Sequence, residues 1–250
     1  MRYKGGTIVE KPHKVVVEQT KREYINFLRK NREDIVLPSK IWEILKENNA
    51  ILAGGFLTDI YIKSISHSDV DFFFRNANDF TEANNLLTRL PLPLAPYQTD
   101  NAITYFVNYG LMQLIRANFG TPQEIINEFD LSVSKVALDL KDEKMYFGEN
   151  FLKHISENKV RIEKFGNPQT LFLRVIRYVR DKGFILDEMD YIKLTILLQT
   201  MVNKPEKWVK NTDAALYGYD TSYTPKEALR KLNNIMSPHI KSSKGIHRTL

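Results

Sequence analysis

The chain has no cysteine among its 250 residues, which excludes thiolate catalysis, disulfide bonds and zinc held by cysteine. A chain without disulfides is compatible with a reducing compartment. Its apolar runs are much shorter than the roughly 20 residues that cross a membrane as a helix, and no secretory signal stands at its start. We therefore expect a cytoplasmic protein that has no membrane partner.

Histidine is also scarce, and no two histidines are spaced as a pair of metal ligands. The five are His13, His67, His154, His239 and His247. We therefore predict no zinc site.

The charge balance is modestly basic, with 36 lysines and arginines against 30 aspartates and glutamates and a net charge of +6. Such an excess favours a polyanionic partner, although many proteins of this charge bind no nucleic acid. The length is enough for one large domain or two modest ones with a sizeable core.

The residues from Ile51 to Phe74 carry the clearest pattern in the chain. A short apolar run reaches Gly54-Gly55, an amphipathic segment follows, and Asp69-Val70-Asp71 then leads into three phenylalanines. This order predicts a strand, a glycine turn, a helix and a second strand. Because side chains alternate along a strand, the two acids should point to one face and the apolar residues between them to the other.

Two carboxylates on one face of a strand repel each other unless a cation lies between them. Mg²⁺ (or Mn²⁺) suits this place because it binds oxygen ligands, often one or two carboxylates together with substrate phosphates. Gly54 and Gly55 let the backbone approach phosphate oxygens, and the start of the following helix would face the anion. We predict Asp69 and Asp71 as catalytic, metal-binding residues, and Gly54, Gly55 and Ser68 as nucleotide-binding residues.

The spacing of these residues resembles a known signature. Gly54-Gly55, thirteen further residues and Asp69-Val70-Asp71 are similar to the first motif of the DNA polymerase β-type nucleotidyltransferase superfamily. Within it, GGFLTD resembles the opening motif of tRNA nucleotidyltransferases (CCA-adding enzymes) and bacterial poly(A) polymerases. The resemblance implies an α+β fold, in which a head with a mixed sheet and helices precedes a helical neck and C-terminal region. The alternative is a βαβ unit whose acids cap an exposed strand end.

A second motif, EFDLSVSKVALDL at residues 128–140, is similar to RDFTINALAYD of the tRNA nucleotidyltransferases. In the family this motif contacts the sugar and phosphates of the incoming nucleotide, which makes Asp130 a predicted nucleotide-binding residue. The alternative is that Asp130 caps the segment that begins at Leu131. Phe129 and Ser134 stand where the family has arginine and asparagine.

Two further positions depart from the family pattern. Thr58 replaces the arginine of the first motif, and the triphosphate contact of that arginine would have to come from Lys63 or Arg75. In the superfamily a strand in the region of residues 111–115 often supplies a third carboxylate, but this chain has Gln113 there. Glutamine is a poor metal ligand, so the resemblance implies two acids whose metal ion is completed by nucleotide phosphates.

The sequence QTLFLRVIRYVRDKGFIL, which begins at Gln169, resembles the neck helix of the same enzymes. In the family, neck residues of this kind read the base edge and touch phosphate, tasks that suit the planar guanidinium group. We therefore predict nucleotide binding for Arg174 and Arg177, less for Arg180, and a helix end at Gly183. The alternative is an ordinary solvated basic face.

The resemblance covers about residues 50 to 185. It implies a nucleotidyltransferase head at 1–150, followed by a helical neck and basic C-terminal region at 151–250. The implied reaction moves NMP from an NTP to an acceptor hydroxyl, and an RNA 3′ end, with tRNA among the candidates, is the preferred acceptor.

About 65 residues follow the neck, a length that resembles minimal nucleotidyltransferases of phages and mobile elements. A viral chain of this kind would work in the host cytoplasm. Two alternatives remain open: a catalytically decayed fold that acts as a nucleic-acid-binding module, and a transferase that modifies a protein or a small molecule.

Overall fold

The structure is a computed structural model, and it describes residues 3–4, 7–10, 19–24, 36–64, 69–92, 94–107, 110–203 and 224–244. The chain forms two compact units, Met1–Lys153 and His154–Leu250. Every helix in these described ranges is too short or too polar to cross a bilayer.

The first unit is built on one mixed sheet. Its described strands are β1 Tyr3–Lys4, β2 Thr7–Glu10, β3 Ile51–Ala53, β4 Val70–Phe74, β5 Tyr97–Gln98, β6 Ala102–Val107, β7 Gly110–Phe119, β8 Val136–Asp139 and β9 Lys144–Gly148. They are ordered β1-β2-β9-β8-β3-β4-β7-β6-β5. Neighbouring strands are antiparallel except β4 and β7, which are parallel. With the helices α1 Val36–Glu47, α2 Gly55–Tyr61, α3 Ala77–Leu87 and α4 Pro122–Asn127, this sheet confirms the predicted α+β class.

One face of the sheet packs against helical segments through aromatic side chains. Val70, Phe72 and Phe74 of β4 are fully buried on this face. The Phe72 ring meets Tyr24 edge-on at 5.6 Å between centroids, and Tyr24 lies 5.2 Å from Trp42 of α1. Large buried rings contribute much of the apolar area that folding removes from water. This layer therefore fixes which face of β4 looks inward.

The opposite face is partly covered by α4. A cluster of buried side chains joins that helix to the sheet: Ile51, Ala53, Phe73, Ala137, Ile125 and Ile126. Helix α4 begins with a capping box between Thr121 and Glu124 and has Pro122 in its first turn. Hydrogen bonds from the backbone and hydroxyl of Thr121 lower the pKa of Glu124. The cap thus stabilises the start of the helix that covers the apolar part of this face.

The second unit contains the predicted neck. Its described elements include β10 Lys159–Val160, α6 Pro168–Ile176, β11 Ile185–Leu186, α7 Glu188–Asn203 and α8 Pro225–Lys244, while α5 Phe151–Ser156 crosses the boundary between units. Helix α6 begins where the Asn167 side chain accepts the N–H groups of Gln169 and Thr170. The helical chain then changes to a π-helical segment at Arg177–Asp181, and Gly183 has a left-handed φ of 73°.

A buried carboxylate ties the residues that follow β10 to α7 within the second unit. Asp190 is fully buried, and its Oδ2 accepts hydrogen bonds from Arg161 Nε at 2.7 Å and from the Ile162 N–H at 2.8 Å. The hydrogen bond to Asp190 raises the pKa of Arg161. A buried charge is tolerated when it is paired in this way.

Gly148, at the end of β9, makes room for the side chain of Lys135. A Cβ at position 148 would lie 2.7 Å from Lys135 Cβ and 3.1 Å from its Cδ. We therefore expect Gly148→Ala to force a shift and to lower the free energy of unfolding by about 1–3 kcal/mol, measured by urea denaturation. Gly166→Ala is the control, because nothing lies within 4 Å of a Cβ there, and it should change stability by less than about 0.5 kcal/mol. Equal losses in the two variants would contradict the close contact.

Candidate active site

A glycine turn lies at the sheet edge where β3 ends. Gly54 has φ 90° and ψ −144°, a conformation that a side chain would strain. Its N–H donates to the Val136 carbonyl at 3.0 Å, and α2 starts at the next residue. The second glycine of the predicted pair is therefore the first residue of a seven-residue helix.

The two predicted metal-binding acids stand at the same edge, on the next strand. Asp71 is in register with Ala53 of β3 on one side and with Gln113 of β7 on the other. Asp69 immediately precedes β4. Both acids are half-buried, whereas Val70 between them is fully buried. The antiparallel pairing of β3 with β4 thus brings the glycine turn and the acids to one edge.

Gln113 occupies the place beside Asp71 where the resemblance leads us to expect a third carboxylate. Neighbouring strands lie about 4.8 Å apart, so its backbone is adjacent to that of Asp71. Gln113 is only 2% exposed, and Thr104, in register with it on β6, is 4% exposed. The three residues form a polar row across a sheet whose other buried side chains are largely apolar.

The donor chemistry of the acids fits a divalent cation of the magnesium type. Within the described part of the chain, no set of three or more histidine, aspartate or glutamate side chains is placed to hold a metal ion. Asp69 and Asp71 would supply two carboxylates. Mg²⁺ commonly takes one or two carboxylates and completes its shell with phosphate oxygens and water.

The two positions where the family has arginine serve packing instead. Thr58 is fully buried, and its hydroxyl donates to the Val133 carbonyl at 2.7 Å. The Phe129 ring has an atom 3.6 Å from the place where a Gly54 Cβ would lie, and its centroid is 5.6 Å from that of Phe73. Thr58 therefore links the first motif to the second, and Phe129 closes the apolar cluster beneath the glycine turn.

Arg75 cannot replace the missing triphosphate contact, contrary to one expectation from the sequence. It follows β4, whereas Asp69 precedes it, so the two residues are separated by about 20 Å of extended strand. Arg75 Nη2 instead bonds Oδ2 of the fully buried Asp139 at 2.5 Å. The same carboxylate accepts the N–H groups of Lys141 and Asp142 through Oδ1. These bonds hold the turn between β8 and β9, at the edge of the sheet opposite to the acids.

The remaining predicted nucleotide-binding residues of the first unit are Asp130 and Ser68. Asp130 is half-buried and precedes the buried Leu131, and a short 3₁₀ helix follows at Ser132–Ser134. Its neighbour in the chain, Phe129, has a ring atom 3.6 Å from the place where a Gly54 Cβ would lie, so this segment lies near the glycine turn in space. Ser68 lies outside the described residues. Nucleotide contact by Asp130 and Ser68 stays a prediction.

The predicted nucleotide-binding arginines of the second unit lie on its helical chain. Arg174 is exposed in the last turn of α6, and Arg177 is half-buried at the first position of the π-helical segment. Arg180 forms two hydrogen bonds with Asp181, at 2.6 and 3.1 Å. Base or phosphate contact by Arg174 and Arg177 stays a prediction.

One residue of the first unit was missed by sequence reasoning. Lys135 is only 9% exposed and stands between the 3₁₀ helix and β8, one residue before the strand that pairs with β3. Its signal in the sequence is a single lysine inside the apolar run LSVSKVALDL. That pattern alone does not show whether such a lysine is buried.

Loss of the Thr58 hydroxyl should leave a buried carbonyl without its donor. Thr58→Val keeps the shape of the side chain, and we expect the free energy of unfolding to fall by about 1–3 kcal/mol, measured by thermal or urea denaturation. Thr81→Val is the control: Thr81 is exposed on α3 and bonds the Ala77 carbonyl at 2.8 Å, and its loss should cost less than about 0.5 kcal/mol. A Thr58→Val protein as stable as the wild type would show that the two motifs are not linked by this bond.

The fold is shared with solved CCA-adding enzymes. The CCA-adding enzyme of Thermotoga maritima in complex with tRNA superposes with a TM-score of 0.58 at 16% identity, over 84% of this chain and 53% of that one. A CCA-adding enzyme in complex with ATP gives a TM-score of 0.61 at 16% identity, over 91% and 54% of the two chains. At this identity the likeness concerns the fold alone.

A relative is found by sequence among phage proteins. Gabija anti-defense 2 of Bacillus phage SPbetaL7 is 29% identical over an alignment of 230 residues, and the match covers 83% of this chain and 54% of that protein. The chain thus spans about half the length of this relative and of the CCA-adding enzymes it matches. A family model, described as "Gabija anti-defense 2 family protein", matches residues 16–158 of this chain. Since that match covers more than half of the chain, the protein belongs to the Gabija anti-defense 2 family.

Proposed function

We propose that this chain is a metal-dependent nucleotidyltransferase, which transfers NMP from an NTP to an acceptor hydroxyl and thereby counteracts the Gabija defence. The observation that carries the proposal is the meeting of the Gly54 turn with Asp69 and Asp71 at one sheet edge. A fold shared with CCA-adding enzymes, some of them in complex with ATP, CTP or tRNA, supports the same reaction class.

Asp69 and Asp71 would hold Mg²⁺ or Mn²⁺ together with the nucleotide phosphates. When bound, such an ion neutralises phosphate charge and favours the in-line attack of a hydroxyl. The chain itself supplies the surroundings. Gly54 and Gly55 would let the backbone approach phosphate oxygens, and the buried cluster that includes Ala53 packs beside this turn.

The proposal keeps the other predicted nucleotide contacts. Asp130 and Ser68 would bind the sugar or phosphates. Residues 1–150 would act as the catalytic head, and residues 151–250 would act as the neck and basic C-terminal region. In that neck, Arg174 and Arg177 would donate to the base edge or to phosphate.

The acceptor we favour is an RNA 3′ end, because the chain carries a net charge of +6 and a polyanion is attracted by such an excess. The deciding experiment incubates the purified protein with each labelled NTP, Mg²⁺ or Mn²⁺, and total RNA. Incorporation of the label into RNA would support an RNA acceptor. Incorporation into protein or into small molecules would instead identify that class as the acceptor. Absence of any labelled product at all would contradict the transferase.

A nucleic-acid-binding module without catalysis is the second candidate. It is favoured by Gln113 in the third-acid position and by the commitment of Thr58 and Phe129 to packing. Binding of RNA without incorporation of label from any NTP would select this candidate. The labelling result therefore decides between the two candidates.

Substitution of either acid should abolish transfer without unfolding the protein. In Asp69→Asn and Asp71→Asn one negative charge is lost from the pair, so metal binding should fail, while thermal stability should hold or rise slightly as repulsion falls. Transfer is measured with the labelled NTP. Protection of phage from Gabija is measured as plating efficiency on bacteria that express the defence and each variant. Asp100→Asn, in an exposed loop, should behave as wild type. Full transfer by both variants would remove the acids from the site.

The arginines of the second unit should matter for nucleotide affinity. Arg174→Ala or Arg177→Ala removes a bidentate donor, and we expect the affinity for the preferred NTP to fall about tenfold or the base preference to change. Equilibrium titration with the four NTPs measures this. Arg180→Ala is the control, since Arg180 is already paired with Asp181. If both Arg174→Ala and Arg177→Ala bind every NTP with unchanged affinity, these arginines do not contact the nucleotide and form an ordinary solvated basic face.

A further inference from the structure

Gln113 is a buried polar residue beside the proposed cation site, and the proposed reaction gives it no role. It is 2% exposed, and it is the residue of β7 in register with Asp71 of β4. The residue in register with Asp71 on its other side is Ala53, whose side chain has no polar group. Of the two strand neighbours of Asp71, Gln113 is therefore the one that can interact with an ion or its ligands.

The packing of the residues around Gln113 shows that it lies on the face of the sheet where Asp71 lies. Its neighbour Met112 belongs to the inward face, because Met112 Sδ accepts a hydrogen bond from Tyr24 Oη at 3.2 Å in the aromatic layer. Ile115, two positions along β7, packs against the buried cluster that joins α4 to the opposite face. Since side chains alternate along a strand, Gln113 shares the face of Ile115 and of Asp71.

The register brings the side chains of residues 71 and 113 within reach of one another. Neighbouring strands lie about 4.8 Å apart, so two acids at these positions could hold the same ion or two adjacent ions. An uncharged amide is a poorer ligand for Mg²⁺ or Mn²⁺ than a carboxylate. Among the described residues, no third acid or histidine is placed to share an ion with Asp69 and Asp71.

The amide therefore sets the charge that the site offers to cations. Asp69 and Asp71 carry two negative charges, which one divalent cation balances. Two divalent cations close together repel each other strongly unless further anionic ligands lie between them. The nucleotide phosphates complete the shell of one ion, and the neutral group at residue 113 adds no charge for another.

We propose that Gln113 limits the site to a single divalent cation, which Asp69 and Asp71 share with the nucleotide phosphates. This inference rests on the proposed transferase function and specifies how many ions that site takes. Gln113 occupies the position from which a carboxylate would bind a second ion. It thereby leaves the acceptor hydroxyl to be oriented by the protein and by the one ion.

The test counts bound Mn²⁺ by electron paramagnetic resonance, which detects the free ion, with α,β-methylene ATP or α,β-methylene CTP present. These analogues cannot release pyrophosphate, and excess protein keeps the nucleotide bound. Wild type should bind one Mn²⁺ per nucleotide. Gln113→Glu, which keeps the side-chain size and adds a carboxylate, should bind two. Without nucleotide, Gln113→Glu should bind Mn²⁺ about tenfold more tightly than wild type, because affinity rises with ligand charge.

Gln98→Glu is the matched control, because Gln98 is exposed on β5, the third strand from β4 in the sheet. It should bind one ion, as should Gln113→Met, which removes the amide without adding charge. Gln113→Asp is a second acidic variant, with a smaller side chain, for the case in which Gln113→Glu does not fold.

Two Mn²⁺ ions per nucleotide in wild type would overturn the role of Gln113 while leaving the transferase proposal intact. A count of one ion in the folded acidic variants at position 113 would do the same. If wild type binds no Mn²⁺ in the presence of nucleotide, both this inference and the cation site of the proposed transferase are wrong.

Discussion

The pairing of β3 on both of its edges is the constraint on which the candidate site depends. The strand has three residues, and Ala53 at its end is in register with Asp71 on one side and with Ala137 on the other. Side chains alternate with a period of two, so a slip of one residue would turn Asp71 towards the face that buries Phe72. The meeting of turn and acids at one edge is thus a consequence of register.

Burial on the inward face keeps this register. Leu52, Phe72 and Leu138, which are paired across the three strands, are all fully buried, and burial of one such side chain stabilises a fold by about 1.5–3 kcal/mol. A slipped strand would expose them and would bury the carboxylate of Asp71 instead, at a further cost. The apolar residues between the acids therefore position the acids, even though they touch no substrate.

Local features of this site were predictable from the sequence. The glycine turn and the alternation along β4 follow from apolar periodicity and from the conformational freedom of Gly54, whereas the mixed sheet was implied by the resemblance to tRNA nucleotidyltransferases. Pairing between distant residues was not. Arg75 and Asp139 are 64 positions apart, and Thr58 and Val133 are 75 apart. No local pattern shows that these residues meet, which is why Arg75 was wrongly considered for phosphate and Lys135 was missed.

The structure gives a physical reason for Thr58 and Phe129, which stand at two positions where the family has arginine. Thr58 is enclosed and bonded to a backbone carbonyl, and Phe129 fills space beside Gly54 and Phe73. Reintroducing arginine at position 58 would bury a guanidinium group where a hydroxyl now fits, which a folded protein tolerates only with a paired anion. The fold shared with CCA-adding enzymes is therefore kept here with a bonded hydroxyl and a packed ring at the two positions where the family has arginine.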